Sequence, residues 1–242
     1  MEKELFRASL QEAAAAYGLM LTTEQLAQFT RYYELLIAWN EKMNLTALTA
    51  PQEVAVKHMI DSLTAYRPEF FPAGTRVIDV GTGAGFPGLP LKIFCPEIRL
   101  VLMDSLQKRV NFLQAVVNEL GLRDVTCVHA RAEEGARNKA WREQFDIAVS
   151  RAVARLPILC EYCLPFVKRG GYFLALKGAQ FAAEAEEAKK AVKVLGGREM
   201  QLRQVQLPGL TDQRAIIEIH KTKPTPKAYP RKAGTPSRQP IL

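Results

Sequence analysis

The segment DVGTGAGFPG, residues 79–88, constrains the fold of this chain more than any other part of the sequence. It follows the apolar run RVIDV, which has the composition of a strand buried in a sheet. Its four glycines permit a tight turn and let a ligand approach the backbone, and the helix that follows would present free N–H groups. We therefore predict a strand, a ligand-binding turn and a helix, in this order.

The spacing of these glycines leaves two kinds of ligand open. A dinucleotide fingerprint GxGxxG that starts at Gly81, directly after the strand, would need its third glycine where Phe86 stands. The string GAGFPG, which starts at Gly83, satisfies the fingerprint, but it begins two residues farther from the strand than a dinucleotide turn normally does. The glycines alone are therefore ambiguous.

Two acidic residues at predicted strand ends bear on this choice. A carboxylate at Asp79 would repel a pyrophosphate but attract the cationic amino group and sulfonium of S-adenosylmethionine. Asp104 fits either ligand, because it ends the run RLVLMD about 20 residues after the turn, where such folds supply an acid to ribose hydroxyls. As structural alternatives, Asp79 caps the helix after Pro87 and Asp104 caps the helix that follows it. We predict S-adenosylmethionine as the cofactor, with a site that includes Asp79, Gly81, Gly83, Gly85 and Asp104.

The chain divides into three stretches by composition. Residues 1–70 are predicted to be a helical segment packed on the core, with a capping box at Thr22 to Gln25. Residues 71–220 alternate apolar runs with helical patterns, as in βαβ units. The last two runs, EMQLRQVQL and RAIIEIH, are close enough to pair antiparallel, since a parallel crossover needs about a dozen residues or more. We predict an α/β, Rossmann-like fold with a seven-stranded, mostly parallel sheet and an N-terminal helical extension.

Residues 221–242 form a basic, proline-rich C-terminal tail. They contain six basic residues, no acidic residue and five prolines, so most of the net charge of +8 lies here. This composition predicts no packed core. The tail is then either a disordered, solubilising end or an arm that binds phosphates through Lys and Arg side chains. The net charge favours a polyanionic partner without identifying it.

Cysteine usage and hydropathy limit the class of protein. The four cysteines are too few and too scattered for the disulfide framework of a small secreted domain. Cys160 and Cys163 form a CxxC pair without a second pair of soft ligands, so we expect buried thiols and no metal site. We find neither an apolar run of about 18 residues nor a secretory signal pattern, so a cytoplasmic protein without a membrane partner is expected.

Two further segments follow predicted strands, at the edge where open α/β sheets bind ligands. HARAEE places Ala132 and Glu133 where they can meet the adenine edge. SRAVA contains Arg151, a guanidinium that emerges from an apolar strand, for which a surface salt bridge is the alternative.

These motifs together resemble one family. The chain is similar to the bacterial 16S ribosomal RNA guanine-N7 methyltransferase G family, formerly called glucose-inhibited division protein B, through the segments WNEKMNLTA, HMIDSL, DVGTGAGFPGLPLKI, MDSLQKRVNFL, RAEE, SRAVA, LKG and YPRKAGTP. The resemblance covers nearly the whole chain. The Phe-Pro-Gly-Leu-Pro extension makes the glycine turn far more specific than a generic nucleotide loop.

The resemblance implies a class I S-adenosylmethionine-dependent methyltransferase that modifies N7 of one guanine in the decoding-region loop of 16S rRNA. Its partner would be 16S rRNA or the small ribosomal subunit, its product S-adenosyl-L-homocysteine, and its expected state a monomer. The resemblance also implies cofactor contacts at Gly81, Phe86, Ala132, Glu133 and Arg151, with Asp104, Ser105 and Leu106 on the ribose side.

The chemistry agrees with the lack of an obvious catalytic base. Guanine N7 carries a lone pair and no proton, so orientation against the sulfonium supplies most of the acceleration, and we assign no catalytic His or Cys. Arg151 is a candidate for positioning the substrate. His58, Asp61 and Asn44 are further candidates for the substrate side, although helix packing and capping is the favoured interpretation of His58 and Asp61.

Two other functions stay open at this point. A methyltransferase with the same cofactor could act on a small molecule or a protein, which the basic tail argues against only modestly. The chain could also be a non-catalytic rRNA-binding assembly factor, although its intact glycines and acids disfavour this.

Overall fold

A seven-stranded sheet forms the centre of the computed structural model, which describes residues 1–242. Its strands are β1 (Arg76–Val80), β2 (Arg99–Asp104), β3 (Val125–His129), β4 (Phe145–Arg151), β5 (Val167–Lys177), β6 (Gly197–Val205) and β7 (Arg214–Lys221). The strand order is β3-β2-β1-β4-β5-β7-β6, and β7 runs antiparallel to both of its neighbours. The other pairs are parallel, so the predicted mostly parallel α/β sheet is confirmed.

Helices cover both faces of this sheet. They are α1 (Glu2–Ala16), α2 (Thr23–Asn40), α3 (Pro51–Val54), α4 (Asp61–Leu63), α5 (Gly88–Phe94), α6 (Gln107–Glu119), α7 (Ala132–Gly135), α8 (Leu156–Cys163), α9 (Phe181–Val194) and α10 (Thr235–Arg238). A π-helical turn, Ala55–Ile60, joins α3 to α4, and a 3-10 turn, Leu164–Phe166, follows α8. The capping box predicted at the start of α2 is present, with Thr22 Oγ1 accepting from Gln25 N at 3.1 Å. No helix is long and apolar enough to cross a bilayer.

Two apolar cores lie on opposite sides of the sheet. The larger one, of 36 buried residues, joins side chains of α1, α2, α5 and α6 to the sheet, and it includes Phe29, Tyr32 and Met59 from the N-terminal segment. The smaller one, of 24 buried residues, contains side chains of α8 and α9. The N-terminal helices thus share a core with the strands that carry the candidate site.

The tail does not behave as its composition predicts. Lys221 is the last residue of β7, and its buried ammonium group donates to Glu143 Oε1, Leu164 O and Thr225 Oγ1 at 2.7 to 2.8 Å. Residues after it pack on the domain, with Thr225, Pro230 and Pro236 buried, and they include α10, so the prediction that this stretch has no packed core is wrong. The reason is that its cations have acidic partners far away in the sequence, which a count of charges cannot reveal.

The strand order reverses direction between β1 and β4. Because β2 and β3 lie on one side of β1 while β4 and β5 lie on the other, the chain leaves a crevice beyond the carboxyl ends of β1 and β4. The glycine turn follows β1 and Arg151 ends β4, so both predicted motifs reach this crevice.

Candidate active site

The glycine turn after β1 is fastened to the end of β2. The N–H groups of Gly81 and Thr82 both donate to Met103 O, at 2.9 and 3.1 Å. Gly81 has a φ of +72°, and a Cβ there would lie 2.6 Å from Val153 Cγ2, so both its conformation and its surroundings require glycine. Gly83 faces open space instead, where a ligand has room.

Gly85 faces the N-terminal helices rather than the crevice. A Cβ there would lie 2.6 Å from the hydroxyl of Tyr32 on α2, and this hydroxyl donates to Ala84 O. Phe86 is buried beside them, with its ring 5.6 Å from that of Tyr32 and stacked on His58 at 4.5 Å. The second half of the turn therefore takes its shape from the helical extension.

Asp79 lies beneath the turn, fully buried. Its Oδ2 accepts from Thr82 Oγ1 at 2.7 Å and from Gly88 N at 2.8 Å, which is the capping arrangement described as its structural alternative. Its Oδ1 has no hydrogen-bond partner. Burial raises the pKa of this carboxyl to about 7. A direct contact between Asp79 and the cofactor stays a prediction, because the side chain does not reach the cavities described below.

Asp104, in contrast, reaches the crevice at the end of β2. Its carboxylate is 3% exposed and accepts from Gly83 N and from Leu106 N, both at 2.9 Å. It therefore ties the glycine turn to the start of α6. Oδ2 also accepts from Arg109 Nη1 at 3.5 Å, while Oδ1 accepts only from Leu106 N and has capacity for another donor, so capping and ribose binding are compatible.

A cavity of about 260 Å³, here called the strand-end cavity, opens beyond β1, β2 and β3. Among its lining residues are Gly81, Asp104, Ser105, Ala132, Glu133, Tyr162 and Ser237. The N–H groups of Ala132 and Glu133 start α7, so they have no partner within the helix. Leu106 is exposed and does not line the cavity, to which it contributes only through its bond to Asp104.

A second cavity of about 360 Å³, the turn cavity, adjoins the first. The two share Gly81, Asp104, Ser105 and Val153. The turn cavity is also lined by Thr46, His58, Gly83, Phe86 and Arg151. This pair of cavities fits S-adenosylmethionine, because an acid for the ribose stands between a pocket with unpaired N–H donors and an open glycine backbone.

Arg151 is held by residues of the N-terminal segment. Its Nη1 donates to Asp61 Oδ2 at 2.6 Å, its Nη2 to His58 Nδ1 at 3.2 Å, and its guanidinium lies 4.8 Å from the Phe86 ring centroid. A guanidinium can only donate, so His58 Nδ1 is the acceptor. The proton of this imidazole is therefore on Nε2, which donates to Thr46 Oγ1 at 2.8 Å. The salt bridge that was the alternative for Arg151 is present, but it is largely buried, with 14% of the Arg151 side chain and 6% of the Asp61 side chain exposed.

Asp61 and His58 are the two side chains that hold Arg151 in this network. Asp61 is buried, and its second oxygen accepts from Arg214 Nη1 at 2.9 Å, so one carboxylate holds two guanidinium groups. Burial, and then the charge of Arg151, lowers the pKa of His58 to about 3. His58 is therefore neutral near pH 7.

A third cavity of about 440 Å³, the basic cavity, shares His58, Arg151 and Ala152 with the turn cavity. Its lining includes four cations, Lys57, Arg151, Lys177 and Arg214, and two carboxylates, Asp61 and Glu184. Asn44 lines none of the three cavities. Four cations against two carboxylates give this lining a formal charge of +2, and it meets the turn cavity at Arg151.

Comparison with known proteins identifies the family to which this site belongs. A family model described as rRNA small subunit methyltransferase G (GidB) matches residues 25–217. The chain belongs to the rRNA small subunit methyltransferase G family. A relative from Geobacillus thermodenitrificans, named Ribosomal RNA small subunit methyltransferase G, is 51% identical over 241 residues and covers 100% of both chains. One of the same name from Desulforamulus reducens is 49% identical over 233 residues, 96% of this chain and 97% of its own.

Solved structures confirm the fold. An S-adenosylmethionine-dependent O-methyltransferase from Thermotoga maritima superimposes with a TM-score of 0.51 at 16% identity, over 79% of this chain and 73% of that one. At this identity the likeness concerns the fold alone. The predicted family, enzyme class and cofactor are confirmed by membership in the methyltransferase G family.

Most of the residues predicted to bind the cofactor line the two joined cavities. The structure brings together Gly81, Gly83, Phe86, Asp104, Ser105, Ala132, Glu133 and Arg151. It leaves Asp79, Gly85 and Leu106 outside the cavity lining, as supports of the turn and of Asp104. Direct contact of these three residues with the cofactor stays a prediction, because none of them lines either cavity.

Sequence reasoning missed part of the candidate site. Packing was the favoured interpretation of His58 and Asp61, yet both hold Arg151 across about 90 residues of sequence. The π-helical turn carries His58 and leads directly into Asp61, a feature often found at functional sites and not visible in apolar spacing. Tyr162 and Ser237 carried no sequence signal for a cavity wall.

The cysteines of the CxxC pair lie in the smaller core. Cys160 and Cys163 are fully buried on α8, and burial raises the pKa of both thiols far above the ordinary range. Their surroundings suit packing, and the structure contains no cluster of three or more His, Cys, Asp or Glu side chains that could hold a metal ion.

Proposed function

We propose that this protein transfers the methyl group of S-adenosylmethionine to N7 of one guanine in the decoding-region loop of 16S rRNA. It does so as a monomer in the bacterial cytoplasm. The observation that carries the proposal is the meeting of the two cofactor cavities with the basic cavity at Arg151. Membership in the methyltransferase G family supports the choice of rRNA as substrate.

The cofactor residues divide by the part of the ligand that each can hold. When bound, S-adenosylmethionine supplies an electrophilic methyl group on a sulfonium centre. Asp104 would accept a ribose hydroxyl, and the N–H groups of Ala132 and Glu133, which have no partner within α7, would be available to acceptor atoms of adenine. Gly81 and Gly83 leave room for the remaining arm in the turn cavity.

The basic cavity receives the methyl acceptor. A guanine stacked in an RNA helix lies with N7 in the deep, narrow major groove, so an enzyme that needs in-line approach must take the base out of the stack. Lys57, Lys177 and Arg214 line this cavity, and each is paired with a carboxylate that a phosphate beside such a base would have to share or displace. Arg151, fixed by Asp61 and His58, stands where the base and the methyl donor would meet.

Methyl transfer to N7 removes no proton from the base, and the site contains no group arranged as a general base. Both nitrogens of His58 are used in hydrogen bonds, and its pKa of about 3 keeps it neutral. The residues therefore act by holding the two reactants close and aligned, which can provide a large share of the rate enhancement.

The direct test supplies purified protein with methyl-labelled S-adenosylmethionine and either 30S subunits or naked 16S rRNA from cells that lack the gene. We expect label in 7-methylguanosine after digestion to nucleosides. A Gly83→Trp variant, in which an indole would enter the turn cavity from a residue whose φ of +61° disfavours any side chain, serves as the inactive control. The proposal is refuted if the label appears in another nucleoside or in protein. It is also refuted if no product is labelled under conditions where S-adenosylhomocysteine binds.

A further inference from the structure

Residues 222–242, here called the C-terminal strap, bind to the domain through specific side chains. The guanidinium of Arg142, in the loop before β4, donates to Thr225 O at 2.9 Å and to Tyr229 O at 2.8 Å. Thr225 N donates to Glu143 Oε1 at 2.8 Å. The first half of the strap is therefore fixed along its backbone, and its path does not depend on surface charge alone.

The second half of the strap supplies the partner of a buried acid. Glu161 on α8 is 1% exposed, and its carboxylate accepts from Arg231 through Nε at 3.0 Å and through Nη2 at 2.7 Å. Arg231 N donates to the same carboxylate at 2.7 Å, while Nη2 also reaches Gln239 O at 2.7 Å. All bonds found for this carboxylate come from Arg231, so release of the strap would leave a buried charge unpaired.

The strap then reaches the strand-end cavity. Gly234 N donates to Glu133 Oε1 at 2.8 Å, and Glu133 is buried at the start of α7. Three residues later, Ser237 of α10 lines this cavity together with Tyr162 of α8. The wall of the cavity is thus built partly from the last residues of the chain.

We propose that the C-terminal strap is a component of the cofactor site, that Ser237 contacts the adenosine end of S-adenosylmethionine, and that strap docking and cofactor binding stabilise each other. The inference rests on the cofactor assignment of the proposed function. The carboxylate of Glu133 acts as a positioning group for the strap, since it is already committed to Gly234 N. Because a ligand in the strand-end cavity touches both α7 and the strap, it favours the docked strap, and the coupling is reciprocal.

The first experiment measures S-adenosylhomocysteine binding by calorimetry, without turnover. In Ser237→Trp an indole would occupy the strand-end cavity, and we expect the affinity to fall by about tenfold or more. Ser237 is exposed, so the larger side chain need not disturb the core. The matched control is Lys232→Trp, which places the same indole at an exposed strap position outside the cavity and should bind like wild type.

The second experiment uses the basic residues of the strap as reporters in the wild-type chain. Trypsin can cut after Arg231, Lys232 and Arg238 only where the strap leaves the domain. Saturating S-adenosylhomocysteine should slow these cuts, while cleavage after Arg7 in α1 keeps its rate. This measurement needs no variant and so decides the question even if Ser237→Trp misfolds.

Two results would overturn the inference. One is wild-type affinity in folded Ser237→Trp, and the other is equal tryptic cleavage of the strap with and without S-adenosylhomocysteine. Either result leaves the proposed function intact as long as the wild-type protein binds S-adenosylhomocysteine. Absence of binding by the wild type would instead contradict the proposed function itself.

Discussion

At the scale of single residues, the buried carboxylate of Asp79 should link cofactor affinity to pH. Burial raises its pKa to about 7, so the group is largely protonated below that value. A cation bound above the turn favours the ionised form, so binding lowers this pKa and releases a proton. We therefore expect the affinity for S-adenosylmethionine to rise with pH from about 6 to about 8, by up to tenfold per unit of pKa change.

The Asp79→Asn variant isolates this effect. It keeps an oxygen for Gly88 N but has no charge to titrate, so its affinity should depend on pH only through the amino group of the cofactor. Calorimetry of both proteins across this range measures the difference. Parallel pH profiles for wild type and variant would mean that Asp79 does not sense the cofactor.

Arg151 should be intolerant of a change that preserves its charge. An ammonium group in Arg151→Lys cannot bond Asp61 and His58 at once, so the cation at the meeting point of the cavities loses its fixed position. We expect methyl transfer to slow by about 100-fold in single-turnover assays, because a reactant displaced by about 1 Å reacts more slowly by roughly this factor. The control is Arg155→Lys, because Arg155 is exposed and pairs with Glu187, and this variant should retain the wild-type rate of methyl transfer. A wild-type rate in Arg151→Lys would contradict the positioning role of Arg151.

At the scale of elements, helix α2 should control the shape of the glycine turn. Tyr32→Phe removes the hydroxyl that donates to Ala84 O and leaves that carbonyl buried without its partner. We expect the free energy of unfolding to fall by about 1 to 3 kcal/mol in denaturant titrations, together with weaker S-adenosylhomocysteine binding.

Tyr33→Phe is the matched control on the same helix. The Tyr33 hydroxyl donates to Thr49 O at 3.3 Å, away from the turn. Its loss should change cofactor affinity little. Equal effects of the two substitutions on binding would show that α2 does not shape the turn.

The elements differ in how far the sequence reveals them. β1 and β2 lie where their apolar runs predict, because a buried strand needs consecutive apolar side chains and this is a local property. β3 also lies where it was predicted, although it is an edge strand with no buried residue. The Arg151 network and the C-terminal strap were not predictable in this way. Their partners lie 90 residues away for Asp61 and 70 for Glu161, and no local pattern records which distant acid a cation meets.

At the scale of the whole molecule, the net charge of +8 should govern the encounter with RNA. We expect the logarithm of the RNA affinity to fall linearly with the logarithm of salt concentration, because bound phosphates release counterions. Lys57→Gln, in the basic cavity, should reduce this slope by about 0.7 to 1 and leave S-adenosylhomocysteine binding unchanged. Filter binding of RNA over a series of salt concentrations measures this slope. An unchanged slope in Lys57→Gln would show that Lys57 does not contact RNA phosphates.

We propose that the three joined cavities bring a methyl donor to N7 of one guanine in 16S rRNA. The most direct measurement maps 7-methylguanosine along 16S rRNA from cells with the gene, without it, and with the gene restored. We expect one modified guanine in the decoding-region loop that is lost with the gene and returns with it. An identical map in all three strains, or loss of the mark at a different base, would contradict it.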